Sequence, residues 1–294
     1  MTERSDTCHN LAHYSLVNLI FLYIIYLVFL YYSSEFTTDG QSVTFLRYSH
    51  DCIVDSISDM DSEEMWLKFP SIVNSCSRLR LLDLKGYANL DETKYHVQRK
   101  DKKAPCTIIS LGIGRDVGVE LQLKKDEPGC QFYGADPVEE TNRRIYGKFG
   151  TFFHTAVGAM NGTHNAAVLD TKSWDYKNQS VHYTNFYHFL QNDVKHTLVD
   201  QLMIDIEYAE YALFPHLLLA NRPEDMSFCQ MNIEIHMGPA KQRREFSTFI
   251  HQLLDEGEFV PLRAATMLGH IRLYLLNFSN RTCRERYIDG YKKE

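Results

Sequence analysis

Apolar and polar positions along this chain fall into three stretches of different texture. Residues 11–32 form the first. Leu16 to Tyr32 carries no charge and only one strongly polar residue, Asn18. Such a run can cross a hydrocarbon core of about 30 Å as a helix. Tyr14, Tyr31 and Tyr32 supply interfacial aromatic residues at its ends. A cleaved signal peptide would be shorter and end in small residues, whereas Tyr31-Tyr32-Ser33-Ser34-Glu35 follows here. Residues 11–34 are therefore expected to be an uncleaved single-pass signal-anchor behind a tail of residues 1–10.

The second stretch, residues 35–104, is mixed and polar. Asp61-Ser62-Glu63-Glu64 reads as a helix start with acids in the first turn. Met65, Trp66, Leu67, Phe69, Ile72 and Val73 supply an apolar face that Pro70 interrupts. This region is expected to be a stem whose one or two helices pack on the domain. From residue 105 to 294 strands and helices alternate. Thr107–Leu111, Gln131–Ala135, Phe152–Val157, Leu198–Ile206 and Met231–Ile235 read as strands, with helices over Val117–Lys125 and through Tyr211, Leu213, Phe214 and Leu217. Phe259–Leu262 and Ile271–Leu276 read as a closing antiparallel pair. The expected fold is α/β and Rossmann-like: a mainly parallel sheet covered on both faces.

Composition adjusts this picture only slightly. A hydrophobic fraction of 44% and a charged fraction of 23% over 294 residues suit one globular domain. The net charge of -7 and the lack of a basic stripe exclude nucleic acid as an expected partner. Arg99-Lys100-Asp101-Lys102-Lys103 reads as a solvated loop. None of the seven cysteines forms a C-x-x-C pair, so no metal is assigned. Cys52, Cys76, Cys106, Cys130, Cys229 and Cys283 suit disulfides in an oxidising compartment, with the pairing open. Asn161, Asn178, Asn277 and Asn280 begin glycosylation acceptor triplets. Together these features suggest a type II protein of the secretory pathway (ER or Golgi) with a lumenal C-terminal domain.

The candidate chemistry lies at strand ends. Gly112-Ile113-Gly114-Arg115-Asp116-Val117-Gly118 follows the first strand of the alternating region. Glycines there let the backbone turn sharply and approach a ligand, and the helix start offers unpaired N–H groups. Asp136 ends the next strand, where an acid can accept ribose hydroxyls of an adenosine moiety. Leu202-Met203-Ile204-Asp205-Ile206-Glu207-Tyr208-Ala209-Glu210 delivers three acids at a third strand end. His236 follows the fifth strand in Ile233-Glu234-Ile235-His236, and strand alternation puts Glu234 beside it to orient the imidazole. A histidine of ordinary pKa can accept a proton at physiological pH, so His236 is the first candidate base, with Glu207 and Glu210 as competitors.

Ile204-Asp205-Ile206-Glu207 followed by Ala209-Glu210 resembles the D-x-E-G-x-E signature of FkbM-type methyltransferases. The resemblance runs from about Ile108 to Phe278, takes in Ala156-Val157-Gly158, and is strongest toward the membrane-anchored FkbM-domain proteins of nematodes. It implies a class I fold, S-adenosylmethionine as cofactor, and methyl transfer to a hydroxyl oxygen, often on a sugar or polyketide. Gly112, Gly114, Asp136, Val157 and Asp205 are the implied cofactor residues. The chain departs from the pattern at Ser110, where an acid is common, at Asp116, at Met203, and at Tyr208, which replaces the signature glycine. The expected activity is O-methylation of a small-molecule, lipid or glycan hydroxyl. Two rivals share some features. A type II glycosyltransferase could use Asp205-Ile206-Glu207 or Asp59-Met60-Asp61 as a D-x-D, and a binding module could keep the scaffold without catalysis.

Overall fold

The computed structural model describes residues 23, 38–77, 79, 82–169 and 176–289. The expected anchor lies, Tyr23 apart, outside them. No helix among the described residues is long and apolar enough to cross a membrane.

A seven-stranded sheet organises the domain. Its strands are β3 (Cys106–Leu111), β4 (Cys130–Asp136), β5 (Thr151–His154), β10 (Gln201–Ile204), β12 (Gln230–Ile235), β13 (Phe259–Met267) and β14 (His270–Asn277), in the order β13-β14-β12-β10-β3-β4-β5. Neighbours from β5 to β12 run parallel, and β14 is antiparallel to both its partners. The apolar runs explain the layout: β3, β10 and β12 are buried along their whole length, as strands covered on both faces must be. The chain starts at β3, builds outward to β5, then returns to place β10 on the other side of β3. That reversal leaves a crevice beyond the carboxyl ends of β3 and β10.

The segment expected as a stem contributes α1 (Thr38–Ile57) and α2 (Ser62–Cys76). Asp61 caps α2, accepting from the amides of Glu63 and Glu64 at 2.9 Å, so Asp59-Met60-Asp61 lies at a helix start and not at the crevice. Pro70 does not interrupt the helix. It is buried, and Met65, Trp66, Phe69 and Val73 share its packed face while Leu67 points to solvent. A proline inside a helix costs about 3 kcal/mol; burying this face in the main core against the Phe246 ring offsets it. Asn74 completes the cover by bonding both the carbonyl and the amide of Ala264, on the edge strand β13.

Two hairpins escape the hydrophobic pattern. The first joins β1 (Leu84–Ala88) to β2 (Thr93–Val97). The side-chain amides of Asn232 and Gln230, projecting from the sheet, bond the backbone of Tyr95 and Val97 and hold β2 across that face. The second pairs β7 (Gly162–Leu169) with β8 (Tyr176–Asn185), and β8 also pairs with β6 (Ala156–Gly158). The remaining helices are α3 (Gly118–Asp126), α4 (Glu139–Tyr146), α5 (Phe186–His188), α6 (Glu210–Leu217), α7 (Ala240–Glu256) and α8 (Arg281–Tyr287).

Six cysteines pair as Cys52–Cys76, Cys106–Cys130 and Cys229–Cys283. The four acceptor triplets differ in access. Asn277 is wholly buried and bonds the Phe228 carbonyl and Glu258, which leaves no room for a glycan. Asn280 caps α8. Asn161 and Asn178 are exposed.

Candidate functional site

The two strand-end motifs meet at the crevice. After β3 the chain turns at Gly112 with φ +81°, and a Cβ there would lie 1.7 Å from the Asp205 carbonyl oxygen, so only glycine fits. The Gly112 amide donates to the Ala135 carbonyl and the Asp205 amide to that of Leu111, both at 2.9 Å. Gly114 and Arg115 also take positive φ, and nothing occupies the space a Gly114 side chain would fill. The turn thus bares backbone toward the crevice.

Asp136 does a different job from the one its position suggested. Its carboxylate accepts from the amides of Ile113 at 2.8 Å, Gly114 at 3.3 Å and Val138 at 2.7 Å. Burial raises its pKa, and those amides pull the other way. A carboxylate offers about four acceptor positions, and the three amides with the Asn142 side chain take them up. Asp136 first shapes the loop. Val157 is buried in the main core, in β6, and pairs with Thr184 of β8.

Asp205, Glu207, Glu210 and His236 do come together. Glu207 and Tyr208 both stand at positive φ, 51° and 71°. Tyr208 thus keeps the left-handed backbone that the signature glycine adopts freely, at a cost of roughly 1–2 kcal/mol. The bend turns Glu207 back, so that its Oε2 lies 3.2 Å from His236 Nε2, and Asp205 Oδ1 lies 3.8 Å from the same atom. Glu210, fully buried at the start of α6, takes His236 Nδ1 at 2.9 Å and the His236 amide at 2.7 Å. Tyr211 donates to the His236 carbonyl at 2.5 Å.

Three expectations change here. Burial opposes charge on His236, but hydrogen bonds to Glu207 and Glu210 and their negative charge outweigh it and push its pKa up to about 11. In that charged form both ring nitrogens donate, Nδ1 to Glu210 and Nε2 toward Glu207. Glu210, not Glu234, orients the ring, while Glu234 pairs with Arg272 at 3.2 Å. Glu210 itself is too buried to touch an acceptor and acts only through His236. Burial also raises Asp205, against the pull of Lys94 and with the help of Glu234, though a third of its side chain still meets solvent.

Several groups at the site were not legible as such. Glu92 and Lys94 reach it from the first hairpin and pair with each other. The carboxylates of Glu92, Asp205 and Glu234 lie within 4.8 Å of one another. Glu92 and Glu234 also line a cavity of about 660 Å³ between the first hairpin and β12–β14. Ser110, the departure in the first strand, donates at 2.7 Å to Glu120, so α3 supplies the carboxylate that the strand lacks. The signal available for the hairpin was the pair of β-forming runs around Asn89-Leu90-Asp91-Glu92.

A mainly parallel sheet that starts in its middle, with an antiparallel strand slipped beside its edge and a glycine turn at the reversal point, defines an α/β fold of the class I methyltransferase kind. The model of the methyltransferase FkbM domain matches residues 78–282, and the chain belongs to that family. S-adenosylmethionine is the methyl donor of the chemistry it implies. No curated protein matches the chain. Among solved structures it is similar to Aeropyrum pernix fibrillarin bound to S-adenosylmethionine (13% identity, 60% of this chain and 68% of that one, TM-score 0.34). It is also similar to the METTL16 methyltransferase domain (10%, 61% and 63%, TM-score 0.36). A third is the Methanococcus jannaschii fibrillarin, a pre-rRNA processing protein (9%, 68% and 85%, TM-score 0.36).

Proposed function

We propose that the chain methylates a hydroxyl oxygen of a sugar, or of another small polyol or lipid, in an oxidising lumenal compartment. The observation that carries the acceptor class is the charge balance of the cavity. Asp91, Glu92 and Glu234 stand against Lys94, Arg263 and Arg272, with the amides of Asn74, Asn89 and Asn232 between them. Such walls offer many donors and acceptors and no net field, which suits a neutral polyhydroxyl compound better than an anion. The compartment is supported by three disulfides and by the exposed Asn161 and Asn178 triplets. The anchor over residues 11–34 is proposed on its length and composition.

The residues present fit the donor. Gly112 and Gly114, on the loop that Asp136 shapes, would hold it beside Asp205. When bound, it supplies a methyl group already activated on a sulfonium sulfur. What the protein must add is position, a dry site and a sink for the hydroxyl proton. In this reading the first hairpin and β12–β14 position the acceptor, and the carboxylate cluster around Asp205 receives the proton.

Calorimetry of the full-length chain with S-adenosylmethionine, S-adenosylhomocysteine, NAD and UDP-sugars tests the cofactor. Binding of the first two only is expected; binding of NAD or a UDP-sugar alone would overturn the reading. Transfer of labelled methyl to a panel of sugars and polyols should give an alkali-stable ether. A labelled carboxyl ester, which alkali cleaves, would reject the hydroxyl acceptor.

A further inference from the structure

We propose that Asp205, Glu207 and His236 form a binding site for a divalent cation of the Mn²⁺ type, at the mouth of the crevice. One oxygen of each acid and one imidazole nitrogen lie within 4.8 Å of one another. A cation ligated at about 2.1–2.4 Å sets neighbouring octahedral ligands about 3.0–3.4 Å apart, and opposite ones about 4.2–4.8 Å. The Glu207 separation of 3.2 Å from His236 Nε2 is that of neighbouring ligands, and the Asp205 separation of 3.8 Å needs to close by about 0.4 Å to match it.

The imidazole is set up as metal-bound histidines are. Glu210 fixes Nδ1 as the donor, so a cation that displaces the Nε2 proton meets a lone pair directed toward Asp205 and Glu207. Glu210 is wholly buried, and its second oxygen, Oε2, has no hydrogen-bond partner. Three carboxylates thus surround one imidazole. The nearby cations are committed elsewhere, Lys94 to Glu92 and Arg272 to Glu234 and Asp91. The second acidic group, Glu92–Asp205–Glu234, is already neutralised in this way, which is why the cation is assigned to the first. The His270 ring lies 4.7 Å from that of His236, tilted by 58°, and its Nδ1 accepts from the Met237 amide.

Two carboxylates and one imidazole suit Mn²⁺ better than thiophilic metals, with Mg²⁺ a weaker occupant. Asp205 and Glu207 are partly exposed, so coordination positions stay open on the solvent side. The role of the ion rests on the methyl-transfer reading; its binding does not. An acceptor hydroxyl in an open position would have its pKa lowered, with the proton leaving to water through that face.

The test is direct. Full-length protein stripped with a chelator is titrated with Mn²⁺, and the free ion is followed by electron paramagnetic resonance, without donor or acceptor present. One ion per chain is expected, with pulsed spectra showing coupling to an imidazole nitrogen. Glu207→Gln and His236→Gln should each weaken binding at least tenfold, and His236→Gln should remove the nitrogen coupling. Glu210→Gln, a positioning change, should weaken it about 10–100-fold. Glu234→Gln should leave it within threefold. Near-ultraviolet circular dichroism confirms that each variant is folded. No bound Mn²⁺ at millimolar concentration, or binding that survives Glu207→Gln and His236→Gln, would overturn the site, as would loss on Glu234→Gln alone. If Mn²⁺ fails to bind while S-adenosylmethionine binds, only the metal site falls; the reverse result leaves the metal site and removes its assigned role.

Discussion

The two ends of the central sheet each gather acids and treat them in opposite ways. At the amino ends of the strands each acid has a dedicated cation or a set of donors. Glu127 holds Arg99 at 3.0 Å, and Asp200 takes Arg286, Tyr287 and the Thr107 amide. Glu258 binds Arg222 at 2.5 Å and Asn277. Two disulfides, Cys106–Cys130 and Cys229–Cys283, close the same end. At the carboxyl ends Asp205, Glu207 and Glu210 crowd one histidine, on a backbone with two residues in left-handed conformation. Compensated charge marks a base built to hold shape. Several acids concentrated around one imidazole on a strained turn mark a place built to receive something.

The largest effect that could sharpen this contrast is loss of a partner at the base. Glu127→Ala strands the buried Arg99 guanidinium and should cost about 3–5 kcal/mol by chemical denaturation. Glu207→Gln should leave stability nearly unchanged. Equal costs would erase the distinction. The base should also fail first in acid. Burial opposes the charge of Glu127, but the His96 imidazole 3.7 Å away and hydrogen bonds from the Arg99 amide and guanidinium hold its pKa below the usual 4.5. A lowered folded-state pKa gives stability that is present above the unfolded value and lost as pH falls through the folded one. Unfolding midpoints should therefore drop as pH falls below about 4.5, less steeply in Glu127→Gln.

Next in size is the covalent closure. The Cys229–Cys283 bridge spans 54 residues, and Cys283→Ser with Cys229→Ser should cost about 2–4 kcal/mol, read as a fall in Tm. An unchanged Tm would mean that the hydrogen bonds alone hold that end. Asp136→Ala comes third. Because the carboxylate shapes the loop through the Ile113 and Gly114 amides, affinity for S-adenosylmethionine should fall about tenfold to a hundredfold, roughly 1.5–3 kcal/mol. Unchanged affinity would assign it to the scaffold alone. The smallest effect has the opposite sign. Tyr208→Gly relieves the left-handed backbone and should raise stability by about 1 kcal/mol. A loss would show that the ring, 5.1 Å from that of His236, contributes more than the strain costs.

Sequence reading located these regions unevenly, for physical reasons. Buried parallel strands are nearly all apolar, so β3, β10 and β12 stand out, and the residues that end them follow. Gly112 and the Asp205–Glu210 run were visible because each lies within a few residues of its own strand. Glu92, Lys94 and Arg272 were not, because they reach the cavity from the hairpin and from β14, far away along the chain. The orienting group of His236 was misread for the same reason. Alternation along one strand points to Glu234, whereas Glu210 comes in from the neighbouring helix start. The first hairpin stayed hidden because Gly86 breaks its alternation and its backbone is held by side-chain amides of Gln230 and Asn232, not by further strands. Pro70 misled because propensity gave way to packing.

The Cys106–Cys130 bond joins residues that face each other directly in the register of β3 and β4. Parallel strands have no tight turn to set their alignment, and a slip of one residue would swap every side chain between faces. Pinned at its first rung, the ladder carries its alignment about 20 Å upward, at roughly 3.3 Å per residue. There the Gly112 turn and Asp136 sit at matching heights. The spacing between loop amides and carboxylate is therefore gauged by a covalent pin at the far edge of the sheet. A reducing environment would loosen the gauge without touching the site.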